Sequence, residues 1–245
     1  MRNIDDYLDK YSKSNFEDIQ IKFRKKKVLE IIQQYEHKNI LEVACWFEPL
    51  FKYFDDYVLM TVVDPCKEVI INAKELSVGN HRVKCIQGFF EDQISLLANS
   101  QYDFIIVSSL LHELENPLEF LTKLKSVCNH HTVVHLNVPN AYSFHRILAK
   151  EMGLIDEVFQ KSDKQIILQQ HTTFSLESLS EFLNNTGFKI LERGSYFVKP
   201  FTHDQMHRML TSGIIDEKVL EGLNNMVKYM PELGSEIYIN CMLES

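Results

Sequence analysis

Asp64 has a residue type and a position that together predict the binding of a nucleoside. It ends the second of two apolar, β-branched-rich runs, KNILEVAC over 38–45 and YVLMTVVDP over 57–65. Such runs are typical of strands buried on both faces of a parallel sheet. The intervening WFEPLFKYF is too long for a hairpin loop and spaces its apolar residues as a helix does, which predicts a β-α-β unit. A carboxylate placed about 20 residues after the first turn can accept hydrogen bonds from both hydroxyls of a ribose.

Three histidines, His112, His145 and His171, are candidate catalytic bases, because the pKa of histidine suits proton transfer near pH 7. His112 follows the fourth predicted strand beside Glu113; alternatively His112 packs inside and Glu113 caps the next helix. His145 follows the fifth strand, where it could instead begin a helix and bind its own backbone. His171 lies in a polar stretch, although a lone histidine in a loop is more often a surface residue.

Five further residues are candidates for binding a small polar or phosphorylated substrate. Asn140, Tyr142 and Arg146 follow the fifth predicted strand, and a guanidinium at position 146 can hold a phosphate through two parallel hydrogen bonds. Lys199 and His203 follow the sixth strand and could bind an anion, though an ordinary turn explains them equally well. The spacing of histidine and acidic residues matches no metal-ligand pattern, so we expect no required metal.

Strands alternate with helices over most of the chain, which predicts an α/β fold with a Rossmann-like, doubly wound and mostly parallel sheet. No Gly-rich linker interrupts the pattern, so we expect one domain over residues 1–245. Residues 1–37 are expected to form an N-terminal helical flap. The alternation breaks at residues 141–173, where a long polar stretch with a short helix predicts a lid insertion over the crevice.

Composition limits the classes of partner and the compartment. The net charge of −8 argues against a nucleic-acid partner, which needs a positive face. The basic run KFRKKK at 22–27 is interpreted as the solvated side of an amphipathic helix. Five scattered cysteines without a C-x-x-C pair are typical of reduced thiols. We found no apolar segment long enough to span a membrane and no signal peptide, so we expect a cytoplasmic protein.

This order of elements, with a late last strand expected to insert antiparallel, resembles that of class I S-adenosylmethionine-dependent methyltransferases. In that family the first strand ends in an E-x-G-C-G-x-G-like turn, the second in a ribose-binding acid, and the third precedes an acid near the adenine. The segment SSLLHELENPLEFL at 108–121 looks like the family's segment after the fourth strand. The resemblance implies S-adenosylmethionine as cofactor, a small-molecule acceptor, and these cofactor-binding residues: Glu42, Ala44, Cys45, Trp46, Asp64, Pro65, Phe90, Glu91 and Ser108.

The later segments resemble a bacterial branch associated with surface-polysaccharide and nucleotide-linked precursor biosynthesis. They are VPNAYSFHRILAKEMGLI at 138–155, QQHTTFSLESL at 169–179 and GSYFVKPFTHDQM at 194–206. In that branch the equivalents of Asn140, His145 and His171 line the acceptor pocket, and some members are linked to O-methyl phosphoramidate decoration of capsules. The likeness therefore implies a polar acceptor from an envelope pathway.

The sequence departs from the family at the first turn, where Ala44, Trp46 and Glu48 replace three glycines. Alanine at position 44 costs little where φ is negative, whereas Trp46 and Glu48 bring bulk and charge toward the methionine end of the cofactor. Either the indole turns away and the chain binds cofactor, or the chain is a degenerate subunit that supports an active partner. A homodimer or a paralogous methyltransferase partner is also left open. An NAD-dependent oxidoreductase is a weaker alternative, because a pyrophosphate needs closely approaching backbone N–H groups.

Overall fold

A computed structural model describes residue 4 and residues 16–244. Its seven strands form one sheet in the order β3-β2-β1-β4-β5-β7-β6, in which β7 lies antiparallel between β5 and β6 and the other adjacent pairs are parallel. This arrangement confirms the predicted α/β, Rossmann-like fold with an antiparallel last strand. The strands are β1 Asn39–Val43, β2 Leu59–Asp64, β3 Val83–Gln87, β4 Phe104–Ser108, β5 Val133–Pro139, β6 Phe188–Tyr196 and β7 Glu236–Leu243.

Helices cover both faces of the sheet, as alternating strands and helices require. Several begin at side-chain caps, such as Ser175 before the helix at 176–185 and Thr202 before that at 203–211. The described helices are α1 Glu17–Ile32, α2 Lys67–Leu76, α3 Ile94–Leu97, α4 Pro117–Lys125, α5 Phe144–Glu151, α6 Asp163–Ile167, α7 Leu176–Asn185, α8 His203–Thr211 and α9 Glu217–Asn225.

The connection between β1 and β2 differs from the predicted β-α-β unit, since its only helical element is a single 3₁₀ turn at Leu50–Lys52. Leu50 and Phe51 are buried, so the apolar spacing marks two core contacts and not a continuous helix. The layer that a crossover helix would occupy is filled by α1, whose Phe23 and Ile31 pack in the same core cluster as these two residues. Helix α1, which precedes the sheet in the sequence, therefore occupies the place of the crossover helix that was expected between β1 and β2.

The predicted N-terminal flap at residues 1–37 lies partly outside the described residues. Residues 1–3 and 5–15 lie outside the described residues, while α1 accounts for most of the remainder. Helix α1 begins after Phe16, whose backbone is left-handed with φ of 67°. This helix brings the basic run at 22–27 beside the carboxyl ends of the central strands.

The segment 141–173 holds α5 and α6 and crosses the end of β5. Its ends are fixed by backbone hydrogen bonds, from Ala141 N to Phe174 O at 2.8 Å and from Phe144 N to Leu233 O at 3.0 Å. None of the described helices is long and apolar enough to span a membrane.

Candidate functional site

The turn after β1 keeps a glycine-like backbone without glycine. Ala44 and Trp46 are both left-handed, with φ of 61° and 55°. Side chains rarely adopt this conformation, which costs about 1–2 kcal/mol per residue. The turn is held by hydrogen bonds from Ala44 N to Val63 O at 2.9 Å and from Leu50 N to the Glu42 carboxylate at 3.0 Å. Position 44 therefore has a positive φ, at which alanine is strained. The condition under which alanine would cost little, a negative φ, is not met.

A cavity, here called cavity A, opens at the carboxyl ends of β1, β2 and β4, beside this turn. In parallel α/β sheets ligands bind at this edge. Seven of the nine predicted cofactor-binding residues line it: Glu42, Ala44, Cys45, Trp46, Asp64, Pro65 and Ser108.

The other two predicted cofactor residues lie outside the lining of cavity A. Phe90 is buried, and its ring packs against that of Phe120 at a centroid distance of 5.1 Å. Glu91 occupies the 3₁₀ turn that follows β3, and partial burial raises its pKa. Phe90 therefore contributes to the core and Glu91 to a turn, and neither lines cavity A.

Glu42 and Asp64 are two of the buried carboxyl groups that line cavity A. Asp64 ends β2, and its Oδ1 accepts a hydrogen bond from Cys66 N at 2.9 Å. Burial raises the pKa of Glu42 to about 8, and the nearby Asp64 charge adds to the effect. Glu42 is therefore mostly protonated at neutral pH.

Glu48, the third residue at a family glycine position, lies among cations. Its carboxylate is 3.0 Å from Lys25 Nζ and 3.2 Å from Lys52 Nζ. Burial acts to raise the pKa of Glu48, but hydrogen bonds from Tyr53 and the two lysines outweigh it and lower that pKa to about 2. Because α1 supplies Lys25, part of the basic run faces the cavity, which corrects its interpretation as a solvated helix side.

A second cavity, here called cavity B, lies at the ends of β5 and β7 beneath α5 and α6, with a volume of about 440 Å³. That volume is within the range that holds small metabolites. Six of the eight predicted catalytic and substrate-binding residues line it: His112, Asn140, His145, Arg146, Lys199 and His203.

Arg24 lines both cavities. Its Nε lies 2.9 Å from Glu236, and its terminal nitrogen lies 2.5 Å from the same carboxylate and 3.5 Å from Glu17. Glu236 also accepts hydrogen bonds from Gln20 at 2.9 Å and from Tyr196. A buried carboxylate with this many donors fixes the guanidinium where the two cavities meet.

The cavities also adjoin at the 3₁₀ turn Leu111–Glu113, where Glu113 lines cavity A and His112 lines cavity B. Both side chains are buried, and His112 Nε2 lies 3.8 Å from the Glu113 carboxylate. Two consecutive residues thus place an acid and a base on either side of one boundary.

His145 is the histidine of cavity B that burial keeps neutral. Burial lowers the pKa of His145 well below its ordinary value, with further contributions from Lys199 and Arg146. Its Nδ1 is shielded from solvent and has no hydrogen-bond partner within the described part of the chain. A neutral imidazole in this position can accept a hydrogen bond from a bound molecule, and its lowered pKa makes it a weak base.

Two predicted site residues lie outside cavity B. Tyr142 is exposed, and its ring meets that of Phe159 edge-on at a centroid distance of 5.7 Å. His171 is also exposed, and its backbone N–H donates to His112 O at 2.9 Å. The polar neighbours of His171 therefore belong to a surface loop. This agrees with the alternative that a lone histidine in a loop is a surface residue.

Asn140 and Arg146 line cavity B but hold backbone groups of this chain. The Asn140 amide donates to the carbonyls of Glu232 and Gly234 at 2.8 and 2.9 Å. Arg146 donates to Val158 O at 2.9 Å, to the Gln165 side chain at 3.2 Å and to the carbonyl of residue 160. The guanidinium thus fixes the segment between α5 and α6, which corrects its expected role in holding phosphate.

The sequence analysis missed Arg24, Glu17, Gln20 and Glu236, which meet at the boundary of the cavities. Glu236 begins β7 and is 2% exposed, so an acidic residue at the start of a mostly apolar strand was the available signal. No group of three or more histidine, cysteine or acidic side chains suited to a metal occurs in residue 4 or residues 16–244.

Comparisons with known proteins agree with this geometry. The structure is similar to that of BamL, a plantazolicin methyltransferase solved with a triazolic desmethylPZN analog and SAH, at 14% identity over 86% of this chain and 78% of that one, with a TM-score of 0.54. A SAM-dependent methyltransferase from Archaeoglobus fulgidus matches at 13% identity over 89% and 91%, with a TM-score of 0.55. The [4+2]-cyclase SpnF matches at 13% identity over 90% and 80%, with a TM-score of 0.54.

These likenesses establish the fold, and SpnF shows that the fold also serves a reaction other than methyl transfer. No curated protein matches the sequence significantly. A family model described as a methyltransferase domain matches residues 15–193. Because this match covers most of the chain, it confirms the predicted family: the chain belongs to the methyltransferase domain family.

Proposed function

We propose that the chain transfers a methyl group from S-adenosylmethionine in cavity A to a small polar acceptor in cavity B. The observation that carries the proposal is the shared boundary of the two cavities at Arg24 and at His112–Glu113. Methyl transfer is an in-line displacement, so donor and acceptor must meet across a short boundary of this kind. When bound, the cofactor supplies the activated methyl group.

Three features of cavity A fit the cofactor. Asp64 ends β2, where a carboxylate can bind both ribose hydroxyls. The left-handed turn at Ala44 and Trp46 keeps the backbone open beside the ligand, as glycine does in related turns. Glu48 is held by Lys25 and Lys52, so its charge is compensated near the cofactor's methionine end. Trp46 is the aromatic wall of this site.

In cavity B, Lys199 and His203 would bind an anionic group of the acceptor, and His145 would take the proton from the atom that is methylated. Lys199 is 4% exposed, so its charge acts through little water and favours an anion strongly. The carboxylates of Glu17 and Glu236 are engaged by Arg24 and so oppose the anion less. His112 is the alternative base at the boundary.

These features favour a phosphorylated, nucleotide- or sugar-linked acceptor. Together with the resemblance of residues 138–155, 169–179 and 194–206, they support a precursor of surface polysaccharide, with the phosphoramidate modification of capsules as one instance. Residues 141–173 would serve as the lid that covers this acceptor.

A second candidate function is a catalytically silent subunit that supports an active methyltransferase. The observation that favours it is the cost of two left-handed, non-glycine residues at positions 44 and 46. Cofactor binding without turnover, together with co-purification of a glycine-containing paralogue, would distinguish this function from catalysis.

The proposal is tested by incubating the protein with methyl-labelled S-adenosylmethionine and a low-molecular-weight extract. We expect label in a species that binds an anion exchanger and loses that binding after treatment with a nucleotide pyrophosphatase together with a phosphatase. Lys199→Gln should lower the transfer by about tenfold, because one charged contact to the acceptor is lost. Label confined to neutral or cationic products would contradict the anionic acceptor, and no transfer to any fraction would favour the silent subunit.

A further inference from the structure

A chain of hydrogen-bonded polar side chains, buried in the middle and partly exposed at both ends, crosses four strands of the sheet. Glu192 of β6, Asn240 of β7 and His135 of β5 are register partners, one from each strand. Asn137 lies two residues after His135 on the same face and pairs with Ser108 of β4. His135, Asn137 and Asn240 are completely buried. Register alone thus places polar groups side by side from the outer strand to the edge of cavity A.

Between Asn137 and Glu192 the hydrogen bonds of this chain run in one direction. Asn240 Nδ2 donates to Glu192 at 2.9 Å, which leaves the Asn240 carbonyl oxygen facing His135 Nδ1 at 2.8 Å. Nδ1 must therefore carry the proton. The other ring nitrogen, Nε2, then accepts from Asn137 Nδ2 at 3.0 Å. Each group donates toward Glu192, so the Glu192 carboxylate orients the imidazole and both amides.

This chain of hydrogen-bonded side chains ends at the corner that follows β4, which is formed by Ser108 and Ser109. Ser109 N donates to the side-chain oxygen and to the backbone oxygen of Asn137, each at 3.0 Å. Asn137 Nδ2 also donates to Ser108 Oγ at 2.9 Å. Ser109 is left-handed, with φ of 54°, and both serines line cavity A. Because a left-handed serine is unfavourable by itself, the Asn137 amide must help to hold it.

We propose that His135 and Asn137 are positioning residues that fix the Ser108–Ser109 corner for the ligand of cavity A. This role rests on the proposed function. Polar groups buried in a sheet cost free energy unless every hydrogen bond is made, and apolar residues of similar size fill such positions at less cost. Burial also lowers the pKa of His135 to about 4, so the ring stays neutral with the single donor that the chain requires.

The test compares His135→Phe with Val133→Ala by calorimetric titration with S-adenosylhomocysteine. Val133 is a matched control, since it lies on the same face of β5 at the other end of the strand and is also buried. We expect His135→Phe to weaken binding by about tenfold, the loss of an oriented hydrogen-bonded contact, while Val133→Ala changes it by less than about twofold.

Equal affinities in the two variants would overturn the positioning role alone. A wild-type protein that fails to bind would overturn the proposed function and this role together. A second measurement needs no variant: a long-range ¹H–¹⁵N spectrum of the wild type should show His135 as the Nδ1–H tautomer. The Nε2–H tautomer would reverse the direction of the hydrogen bonds made by His135 and would overturn the proposal. This measurement therefore remains decisive even if His135→Phe does not fold.

Discussion

Ala44 and Trp46, two residues apart in the turn after β1, both hold left-handed backbone conformations, with φ of 61° and 55°. Related turns use glycine because this region of φ is free of steric cost for glycine alone. These two positions take a backbone conformation that favours glycine although they carry alanine and tryptophan. The side chains that replace glycine therefore add cost, and in the case of Trp46 they also add a wall to cavity A.

Replacing Ala44 with glycine is expected to stabilise the protein by up to about 1 kcal/mol, because it removes the left-handed strain of alanine. Urea unfolding followed by circular dichroism would measure the change. The control is Ala149→Gly in α5, where a similarly half-buried alanine is helical and the substitution should cost about 1 kcal/mol. A destabilised Ala44→Gly variant would contradict the strain.

Trp46 is the only tryptophan of the chain, so its fluorescence reports directly on cavity A. Titration with S-adenosylhomocysteine is expected to shift or quench the emission in a saturable manner, because the ligand changes the polarity around the indole. Trp46→Phe should abolish the signal while calorimetry still detects binding. Saturable binding by calorimetry with unchanged emission would place the ligand away from the indole.

Glu42→Gln is expected to stabilise the protein above pH 5. In the wild type the unfolded state ionises as the pH rises past 4.5, while burial keeps the native pKa of Glu42 at about 8. The wild type therefore loses stability between these values, on the order of 3 kcal/mol, and the variant does not. Gln retains the oxygen that accepts from Leu50 N. Thermal unfolding at intervals from pH 4 to 9 should show the Tm difference widening up to pH 8; a constant difference would refute a protonated Glu42.

Arg24→Met is expected to destabilise the fold by about 3–5 kcal/mol, since it leaves the Glu236 carboxylate buried without its cation. Adding Glu236→Gln should restore a large part of the loss, because the remaining neutral amide still bonds Gln20 and Tyr196. Urea unfolding of the two single variants and the double variant forms a complete cycle. Additive losses would show that the two residues do not interact.

Arg146→Met is expected to loosen the segment between α5 and α6, because the guanidinium holds Val158, Gln160 and Gln165. Hydrogen exchange should be faster at amides 156–167 and unchanged at β5. Lys150→Met is the control, since Lys150 lies on the same helix and bonds the exposed Glu157. Faster exchange in the control alone would contradict the bracing role of Arg146.

The sheet and the position of Asp64 could be predicted because they depend on local signals. Buried parallel strands are continuous apolar runs, and parallel strands place their carboxyl ends at one edge. The helix expected between β1 and β2 was wrong because the apolar spacing of Leu50 and Phe51 does not tell a single buried turn from a longer helix.

The side chains that complete the site could be predicted only in part. Arg24 and Lys25 belong to a charged run whose inward-facing members are set by how α1 docks, which no local pattern encodes. His171 was expected in the pocket from likeness and from its polar neighbours, and Tyr142 from its position after β5, but both side chains are exposed. His135 and Asn137 did leave a signal, since polar residues at alternate positions of a buried strand require partners on one face.

The binding of S-adenosylhomocysteine to the wild type and to Asp64→Ala, measured by calorimetry, tests the central claim most directly. We predict micromolar binding to the wild type and a loss of about tenfold or more in the variant, because a charged hydrogen-bond acceptor for the ribose is removed. Asp64→Asn should lie between the two. No detectable binding to the wild type at millimolar ligand, or equal binding to Asp64→Ala, would contradict the account.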